Sequence, residues 1–331
     1  MRGPFFDGYS TYDLIGDSSD SRPTLYAGVN TWTWGPVIYK SPDQGRTWRK
    51  AKTHPRFPKR NPKKLSVQRI WNLQPDGRGR LYAGVEPAAL FYSDDDSDSW
   101  HGVDALNAHS TRDKWQPGNG GLCLHTILIH LKQPRRIRVG ISAVGVLGSD
   151  NGGDTWRFLN KNIRADFLPS KYPEYGQCVH KMDFHPSRPD TLFLQNHGGV
   201  YSSPDFGETW KEIGKGLPSD FGFPIGVHRH QPRTIYAVPL GQEGRYPPQG
   251  EFQVWRSSDE GGHWSRSTDG LPKPAYFSVL REAMALDDEE PGGVYLGTTS
   301  GQIFSSRDDG ASWEQMASNL PRIHSVACMS A

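Results

Sequence analysis

Short apolar runs bounded by glycine, proline and small polar residues recur along the chain with a period of about fifty residues. Runs of this length between turn-forming residues predict β-strands. Each period contains three such runs, and a shorter fourth run follows a tryptophan. The three runs lie at residues 11–15, 25–29 and 37–40; 67–73, 81–85 and 90–92; 122–131, 137–141 and 145–148; 177–184, 192–195 and 199–202; 224–228, 235–238 and 253–256; and 277–286, 294–297 and 302–305. The pattern therefore predicts six units of four strands.

An eight-residue motif, S-x-D-x-G-x-T-W, stands after the third run of every unit. Its copies begin at Ser41, Ser93, Ser149, Ser203, Ser257 and Ser306, and their tryptophans are 52, 56, 54, 54 and 49 residues apart. Aspartate can accept backbone N–H groups across a turn, and glycine supplies a positive φ. We therefore place each motif in the turn between strands three and four, with its tryptophan packed beneath the hairpin and against the next unit. Ser97 replaces the glycine and Asn151 the aspartate, so looser hairpins or another turn type are expected there.

The motif resembles the Asp box, or bacterial neuraminidase repeat, of sialidase-like propellers, and the resemblance covers nearly the whole chain. It implies an all-β fold, a β-propeller of six four-stranded blades in a single domain over residues 1–331. A motif repeated six times builds a scaffold, so we assign its aspartates to turn construction and not to catalysis. Residues 323–329 look like one more first strand, which would begin an incomplete seventh blade.

Composition narrows the functional classes. The chain has 38 Lys and Arg against 36 Asp and Glu, and this near balance lacks the clustered basic excess that nucleic-acid binding needs. No apolar run is long enough for a membrane span, and the first residues lack the apolar segment of a signal peptide. Three cysteines do not make a disulfide framework, so a reducing, cytoplasmic location is expected.

The loops opposite the motif turns hold the candidate chemistry. In sialidase-like propellers that face carries the pocket, and loops on a rigid scaffold commonly bind ligands. We predict a polar pocket there. Its catalytic candidates are Glu86, His197, Arg281, Glu174 and Asp220. Its substrate-binding candidates are Arg69, Trp32, Trp34, His109, Arg112, Trp115, Tyr175 and Arg245.

These residue types fit glycoside chemistry. Two carboxylates can act as the acid and the base or nucleophile of a glycosidase, arginine grips carboxylate groups, and aromatic rings stack on sugars. The Arg-Ile-Pro signature that sialidases carry near the N-terminus has no counterpart here, so the arginine triad is not assigned.

Two Cys-x-His pairs occupy equivalent positions in consecutive units, Cys123 with His125 and Cys178 with His180. Residues i and i+2 of a strand share a face, so thiol and imidazole groups at this spacing can ligate zinc. The alternative is packing between blades, where a cysteine behaves as a small apolar residue. We expect no obligatory cofactor, with His125 and His180 as the residues for a metal if one binds.

Three functions remain open, because fold alone decides none of them. The first is a sialidase-superfamily-like hydrolase acting on a carbohydrate or another small polar ligand. The second is a non-catalytic propeller that binds a protein partner. The third is a metal-dependent, lactonase-like hydrolase.

Overall fold

The computed structural model describes residues 3–17, 23–61 and 63–329, and it confirms a six-bladed β-propeller. Each blade is a four-stranded antiparallel sheet in which the strands follow chain order. The described residues include one short helix, α1 (Asp104–Asn107), and two 3-10 turns, Arg112–Lys114 and Pro248–Gly250. None of the described helices has the length and apolar character that a membrane-spanning helix needs.

The strands have the following bounds. Blades one and two contain β1 (Ser10–Asp17), β2 (Thr24–Thr31), β3 (Gly35–Ser41), β4 (Arg49–Lys50), β5 (Arg69–Pro75), β6 (Leu81–Glu86), β7 (Ala89–Ser93) and β8 (His101–Gly102). Blades three and four contain β9 (Leu124–Ile129), β10 (Ile137–Ile141), β11 (Gly145–Ser149), β12 (Arg157–Phe158), β13 (Val179–Phe184), β14 (Leu192–Asn196), β15 (Gly199–Ser203) and β16 (Lys211–Glu212). Blades five and six contain β17 (Gly222–Val227), β18 (Ile235–Pro239), β19 (Val254–Ser257), β20 (Ser265–Ser267), β21 (Val279–Leu286), β22 (Val294–Thr298), β23 (Ile303–Ser306) and β24 (Glu314–Ala317).

The chain divides into two compact units. Unit 1 comprises residues 1–143 and 147–157, and unit 2 comprises residues 144–146 and 158–331. Unit 1 holds blades one and two, unit 2 holds blades four to six, and blade three contributes residues to both. The single domain over residues 1–331 stays a prediction.

The turn motif is held by its own side chains, as the copy in blade four shows. Asp205 Oδ1 accepts hydrogen bonds from the Thr209 amide (2.9 Å) and the Ser203 hydroxyl (2.8 Å), while Oδ2 accepts from the Thr209 hydroxyl (2.6 Å). The Ser203 hydroxyl in turn accepts from the Gly207 amide at 2.7 Å. Burial alone acts to raise the pKa of Asp205, but the hydrogen bonds from Thr209 and Ser203 outweigh it and lower the pKa. The assignment of this aspartate to turn construction agrees with these contacts.

The expectation of a looser turn at Ser97 is wrong. Ser97 adopts the left-handed conformation that glycine takes in other copies, with φ 68°. Its amide donates to the Ser93 hydroxyl at 2.9 Å, and Asp95 accepts from the Ser99 amide at 2.8 Å. The local hydrogen bonds therefore stabilise a backbone conformation that a non-glycine residue rarely adopts.

The expectation of a different turn at Asn151 is also wrong. Asn151 Oδ1 accepts from the Thr155 amide (3.0 Å) and the Ser149 hydroxyl (2.9 Å), as an aspartate does. Its Nδ2 donates to the Thr155 hydroxyl at 2.9 Å. An amide thus supplies the same contacts without the negative charge.

In blades four to six the motif tryptophan bonds to the preceding blade, and not to the next blade as the sequence suggested, whereas Trp156 of blade three donates to Gly153 O of its own turn at 3.0 Å. The indole N–H groups donate at 2.8 Å from Trp210 to Leu159 O, from Trp264 to Ile213 O and from Trp313 to Ser267 Oγ. Each acceptor lies three residues after the motif tryptophan of the blade before. This constant offset links blades three to six through the same residue of the repeat.

Two aspartates of first strands also join neighbouring blades. Asp13 Oδ2 accepts a hydrogen bond from the Leu73 amide at 2.6 Å, which links blades one and two. Asp183 Oδ2 accepts from the Val227 amide at 2.9 Å, which links blades four and five. In both cases the carboxylate, in place of a backbone carbonyl, accepts the hydrogen bond of an amide in the first strand of the following blade.

Residues 323–329 do not form the predicted first strand. Ser325 makes a single parallel bridge with Glu282 of β21, and the Val326 amide donates to the Glu282 carbonyl at 2.8 Å. Ile323 and Val326 nevertheless pack on Gly297, where an added Cβ would lie 2.3 and 2.9 Å from their side chains.

The packing on Gly297 has counterparts in blades one and two. Gly28 faces Ile70, and Gly84 faces Leu124, so in each case a glycine of the second strand contacts the first strand of the following blade. The C-terminal segment therefore takes on blade six the position that a following first strand takes on the earlier blades.

Candidate functional site

A β-bulge interrupts the first strand of each of the first four blades. A bulge leaves one residue outside the pairing ladder and changes the direction of its side chain. The registers skip Tyr12 in β1, Trp71 in β5, His125 in β9 and His180 in β13. The interruptions are longer in β17 and β21, where they include Phe223 and Arg281. Aromatic, imidazole and guanidinium groups thus recur at one structural position.

In unit 1 this position contributes to a cluster around Glu86, at the end of β6. The carboxylate is buried, with the residue 8% exposed, and its Oε2 accepts hydrogen bonds from Arg69 Nη1 (2.7 Å) and Trp71 Nε1 (2.9 Å). The loop before β9 approaches Oε1 through Gly121, which has φ 96°. A Cβ at this position would lie 2.3 Å from Oε1, so only glycine permits the approach. One carboxylate oxygen is therefore anchored while the other faces backbone.

Tyr12 completes the Glu86 cluster. Its ring meets the Trp71 ring edge-on at a centroid distance of 5.0 Å, and the Arg69 guanidinium lies 5.7 Å from the Tyr12 centroid. Burial acts to lower the pKa of Arg69, but the hydrogen bond and charge of Glu86 outweigh it and raise the pKa. The guanidinium therefore stays charged beside two half-buried rings. The sequence predicted Glu86 and Arg69 but missed Tyr12 and Trp71, which alignment of the first strands would have revealed.

The candidates His109, Arg112 and Trp115 come together in one loop of unit 1. The Arg112 guanidinium lies 4.9 Å from the Trp115 ring, and His109 stacks on that ring at 5.8 Å. Trp115 is buried and donates its indole N–H to the Thr111 hydroxyl at 2.9 Å. Burial lowers the pKa of Arg112 to about 10. Packing of the loop accounts for these contacts.

Trp32 and Trp34 lie in the turn between β2 and β3. They are 88% and 71% exposed, although the Trp32 indole donates to the Gly8 carbonyl at 2.8 Å and Lys50 Nζ lies 5.8 Å from the Trp34 ring. Two such exposed rings form a surface on which a flat ligand can stack.

In unit 2 the bulge residue His180 lies beside Cys178 and His197. The Sγ atom of Cys178 and one ring nitrogen from each histidine all lie within 4.8 Å of one another, and Cys178 Sγ is 3.6 Å from His180 Nε2. His180 Nδ1 donates to the Gly222 carbonyl at 2.5 Å. The His197 amide donates to the Cys178 carbonyl at 2.9 Å. We call these three residues the Cys178 cluster.

Aromatic rings enclose the Cys178 cluster. Phe221 and Phe223 lie 5.1 and 5.0 Å from the His180 ring, and Phe221 lies 4.9 Å from the His197 ring. Phe167, which is half exposed, meets the His197 ring edge-on at a centroid distance of 5.2 Å. The two imidazoles therefore lie in largely apolar surroundings.

Two arginines predicted as site residues, Arg281 and Arg245, influence the surroundings of the Cys178 cluster. The Arg281 guanidinium lies 5.1 Å from the Phe223 ring. Burial lowers the pKa of His197, and the positive charge of Arg245 lowers it further. His197 is therefore neutral near pH 7.

The remaining candidates make separate contacts. Asp220 Oδ2 accepts a hydrogen bond from Arg164 at 2.8 Å, and Tyr175 stacks on Phe158 at 5.1 Å. Glu174 is exposed. His125 is fully buried with Nδ1 3.1 Å from the Thr126 hydroxyl, and within the described ranges it belongs to no group of three potential metal ligands.

Three further histidines cap the turns between first and second strands. Each ring accepts, at Nδ1, a hydrogen bond of 3.0–3.2 Å from the backbone amide two residues further along the chain, as seen for His130, His185 and His228. In His130 and His228 the same nitrogen also accepts from the amide three residues further along. These histidines are structural.

A surface cavity of about 430 Å³ in unit 1 is lined by residues of the blade-three motif turn and of the segment that follows β8. Arg80 and Tyr92 line it, with Asp104 and Asp154. Arg80 is already paired with Asp94 through two hydrogen bonds of 2.6 and 2.8 Å. The residues that line the cavity do not form a catalytic arrangement. The Glu86 and Cys178 clusters are therefore the candidate functional sites.

No protein-family model matches the sequence. A curated relative is a xyloglucanase of Hypocrea jecorina (strain QM6a), 23% identical over 155 residues that make up 46% of this chain and 17% of the xyloglucanase. The chain thus spans less than a fifth of the length of that relative.

Two solved structures show the same fold at low identity. The GH74 xyloglucanase from Xanthomonas campestris superposes with a TM-score of 0.67 at 17% identity, over 93% of this chain and 47% of that chain. YCF48 bound to D1 peptide superposes with a TM-score of 0.56 at 13% identity, over 94% of this chain and 84% of that chain. The propeller therefore resembles GH74 xyloglucanases and YCF48.

Proposed function

We propose that the protein binds glycan chains and hydrolyses them as a glycosidase-like enzyme, with the Glu86 cluster as its site. The Glu86 carboxylate carries this proposal, because Arg69 and Trp71 fix one oxygen while the glycine backbone at residue 121 leaves no side chain over the other. The likeness to xyloglucanases supports a glycan as the ligand class.

The neighbouring groups suit a sugar. Half-buried Tyr12 and Trp71 offer ring surface for the apolar face of a pyranose, and Arg69 offers N–H donors to hydroxyl groups. Exposed Trp32 and Trp34, also in unit 1, could extend the contact along a chain of several sugars. Glu86 is the carboxylate that would act as base or nucleophile at the glycosidic bond.

The test is hydrolysis and binding of a glycan panel containing xyloglucan, cellulose, other β-glucans and a sialylated oligosaccharide. We expect the wild type to release reducing ends from one member, and Glu86→Gln to lower kcat by about 10²–10⁴-fold with a small change in KM. Glu314→Gln is the matched control, since Glu314 is exposed in the last strand and should leave activity unchanged. A wild type that neither binds nor cleaves any member contradicts the proposal.

A second function, recognition of a peptide or protein partner, is favoured by one observation. The chain covers 84% of the YCF48 chain that was solved with a peptide, against 47% of the xyloglucanase chain. In this case Trp32 and Trp34 would contact the partner. Binding to a peptide library that is lost in Trp32→Ala/Trp34→Ala, with no affinity for the glycans, would favour this function over hydrolysis.

A further inference from the structure

The Cys178 cluster has the composition and geometry of a transition-metal site. We propose that Cys178, His180 and His197 bind one divalent ion of the Zn²⁺ class through one sulfur and two nitrogens, with the fourth position open to water or a substrate oxygen. This site lies within unit 2 and is independent of the glycan proposal for the Glu86 cluster.

The distances between the ligand atoms agree with tetrahedral coordination. Zn–S bonds of about 2.3 Å and Zn–N bonds of about 2.0–2.1 Å at the tetrahedral angle place the sulfur and nitrogen about 3.5 Å apart. Cys178 Sγ and His180 Nε2 are 3.6 Å apart. The remaining separations, all within 4.8 Å, require a side-chain movement of roughly 1 Å to close on an ion.

The environment of His180 selects the nitrogen that would bind the ion. A carbonyl oxygen can only accept, so Nδ1 carries the proton in the 2.5 Å hydrogen bond to Gly222 O. The neutral ring then presents the Nε2 lone pair on the side of Cys178. Metal-ligating histidines commonly donate their second ring N–H to a backbone carbonyl in this way.

The backbone holds the three ligands on rigid elements. Cys178 directly precedes β13, His180 is its bulge residue, and His197 directly follows β14. The hydrogen bond from the His197 amide to the Cys178 carbonyl fixes the two strand ends side by side. The bulge therefore brings His180 to the Cys178 and His197 end of the strand pair, and metal sites built on strands keep their geometry well.

The apolar surroundings also favour a bound ion. Phe221 and Phe223 limit water access and lower the local polarity, which strengthens the bond between a thiolate and a cation.

A cysteine–histidine nucleophilic dyad is the competing use of Cys178 and His180. A dyad needs a nucleophile, a base and a group that orients the base, and Gly222 O could be that group. It gives no role to His197, whose ring nitrogen lies within 4.8 Å of both partners. The third ligand is the reason that we favour a metal.

Titration of the full chain with Zn²⁺ or Co²⁺ in a reducing, thiol-free buffer tests the site. Calorimetry and elemental analysis should give one ion per chain. Cys178→Ser and His197→Ala should each weaken binding at least about tenfold. The Co²⁺ form should show a thiolate-to-cobalt charge-transfer band that Cys178→Ser abolishes. The matched controls Cys328→Ser and His230→Ala, also in unit 2, should bind as the wild type does.

A second measurement needs no variant. The rate at which iodoacetamide alkylates Cys178, followed by peptide mass spectrometry, should fall at least about tenfold when Zn²⁺ is added, while alkylation of Cys328 stays unchanged. Absence of stoichiometric Zn²⁺ or Co²⁺ binding would overturn the proposal, as would binding that survives Cys178→Ser. Rapid alkylation of Cys178 that Zn²⁺ does not slow would also overturn it and would identify the dyad.

Discussion

Replacement of Asp205 by alanine and by asparagine separates two contributions of the turn motif to stability, its hydrogen bonds and its charge. Asp205 accepts three hydrogen bonds, two from Thr209 and one from Ser203. Asp205→Ala removes both acceptor oxygens and with them all three hydrogen bonds. Asp205→Asn keeps the geometry that the blade-three turn already shows, where Asn151 makes the corresponding contacts with Thr155 and Ser149.

The magnitudes follow from these contacts. A hydrogen bond to a charged group contributes about 1.5–3 kcal/mol, but this turn is partly exposed and water replaces part of the loss. We expect Asp205→Ala to lower the free energy of unfolding by about 2–4 kcal/mol. Asp205→Asn should lower it by less than about 1 kcal/mol at pH 7, because the loss is confined to the charge of the acceptor.

The pH dependence has a definite sign. The pKa of Asp205 is lower in the folded protein than its ordinary value, so its charged form stabilises the fold above the unfolded pKa of about 4. This contribution is lost as the pH falls through the folded pKa. The stability difference between the wild type and Asp205→Asn should therefore narrow between pH 5 and pH 2, by roughly the charge contribution.

Urea unfolding at pH 7 and pH 3 measures these differences, and hydrogen exchange at the Thr209 amide reports local opening of the turn. Asp154→Ala is the matched control, since Asp154 lies in the blade-three turn but is exposed, and it should change stability by less than about 0.5 kcal/mol. If Asp205→Asn destabilises the protein as much as Asp205→Ala, or if neither does, the hydrogen-bond argument is refuted.

Two close approaches to glycine, at Gly84 and at Gly121, can be tested by substitution with alanine, and Gly241 serves as a control. Gly84→Ala should lower the free energy of unfolding, measured with urea, by about 1–3 kcal/mol, because its Cβ would lie 2.5 Å from the Leu124 carbonyl oxygen. Gly241→Ala, where the nearest atom to the added Cβ is at 3.6 Å, should lower it far less. Equal losses in the two variants would contradict the clash. Gly121→Ala should displace the Glu86 carboxylate, since the added Cβ would lie 2.3 Å from Oε1. It should therefore reduce glycan binding or turnover more than it reduces the free energy of unfolding. Unchanged glycan kinetics would show that Glu86 is not part of the glycan site.

The fold could be read from the sequence because the motif that marks each blade is local. The hydrogen bonds of Asp205 reach only from Ser203 to Thr209, so a segment of seven residues is enough to define the turn. The errors concern longer-range consequences. Ser97 and Asn151 depart from the consensus sequence of the motif but still form its hydrogen bonds. Comparison with the consensus alone does not show that these hydrogen bonds are kept. The direction in which the motif tryptophans bond depends on packing between blades, which no local pattern contains.

The candidate sites were only partly predictable for a similar reason. The equivalence of Cys123-x-His125 and Cys178-x-His180 is visible in the sequence. The sequence does not show that, among the residues that the structure describes, a third potential ligand lies beside the second pair and not beside the first. His197 reaches the Cys178 cluster because the register shifts by one residue at His180, and hydrophobic alternation does not record such a shift.

The bulge in the first strands has a consequence for the evolution of the protein. The bulge residue contributes no paired position to the ladder, so its side chain can change without altering the strand register or the turn motif. The same structural position already carries Tyr12, Trp71, His125 and His180. Selection could therefore change the ligand-binding group of one blade at a time by a single substitution at the bulge. The turn motif and the strand register, which stabilise the fold, would not have to change with it.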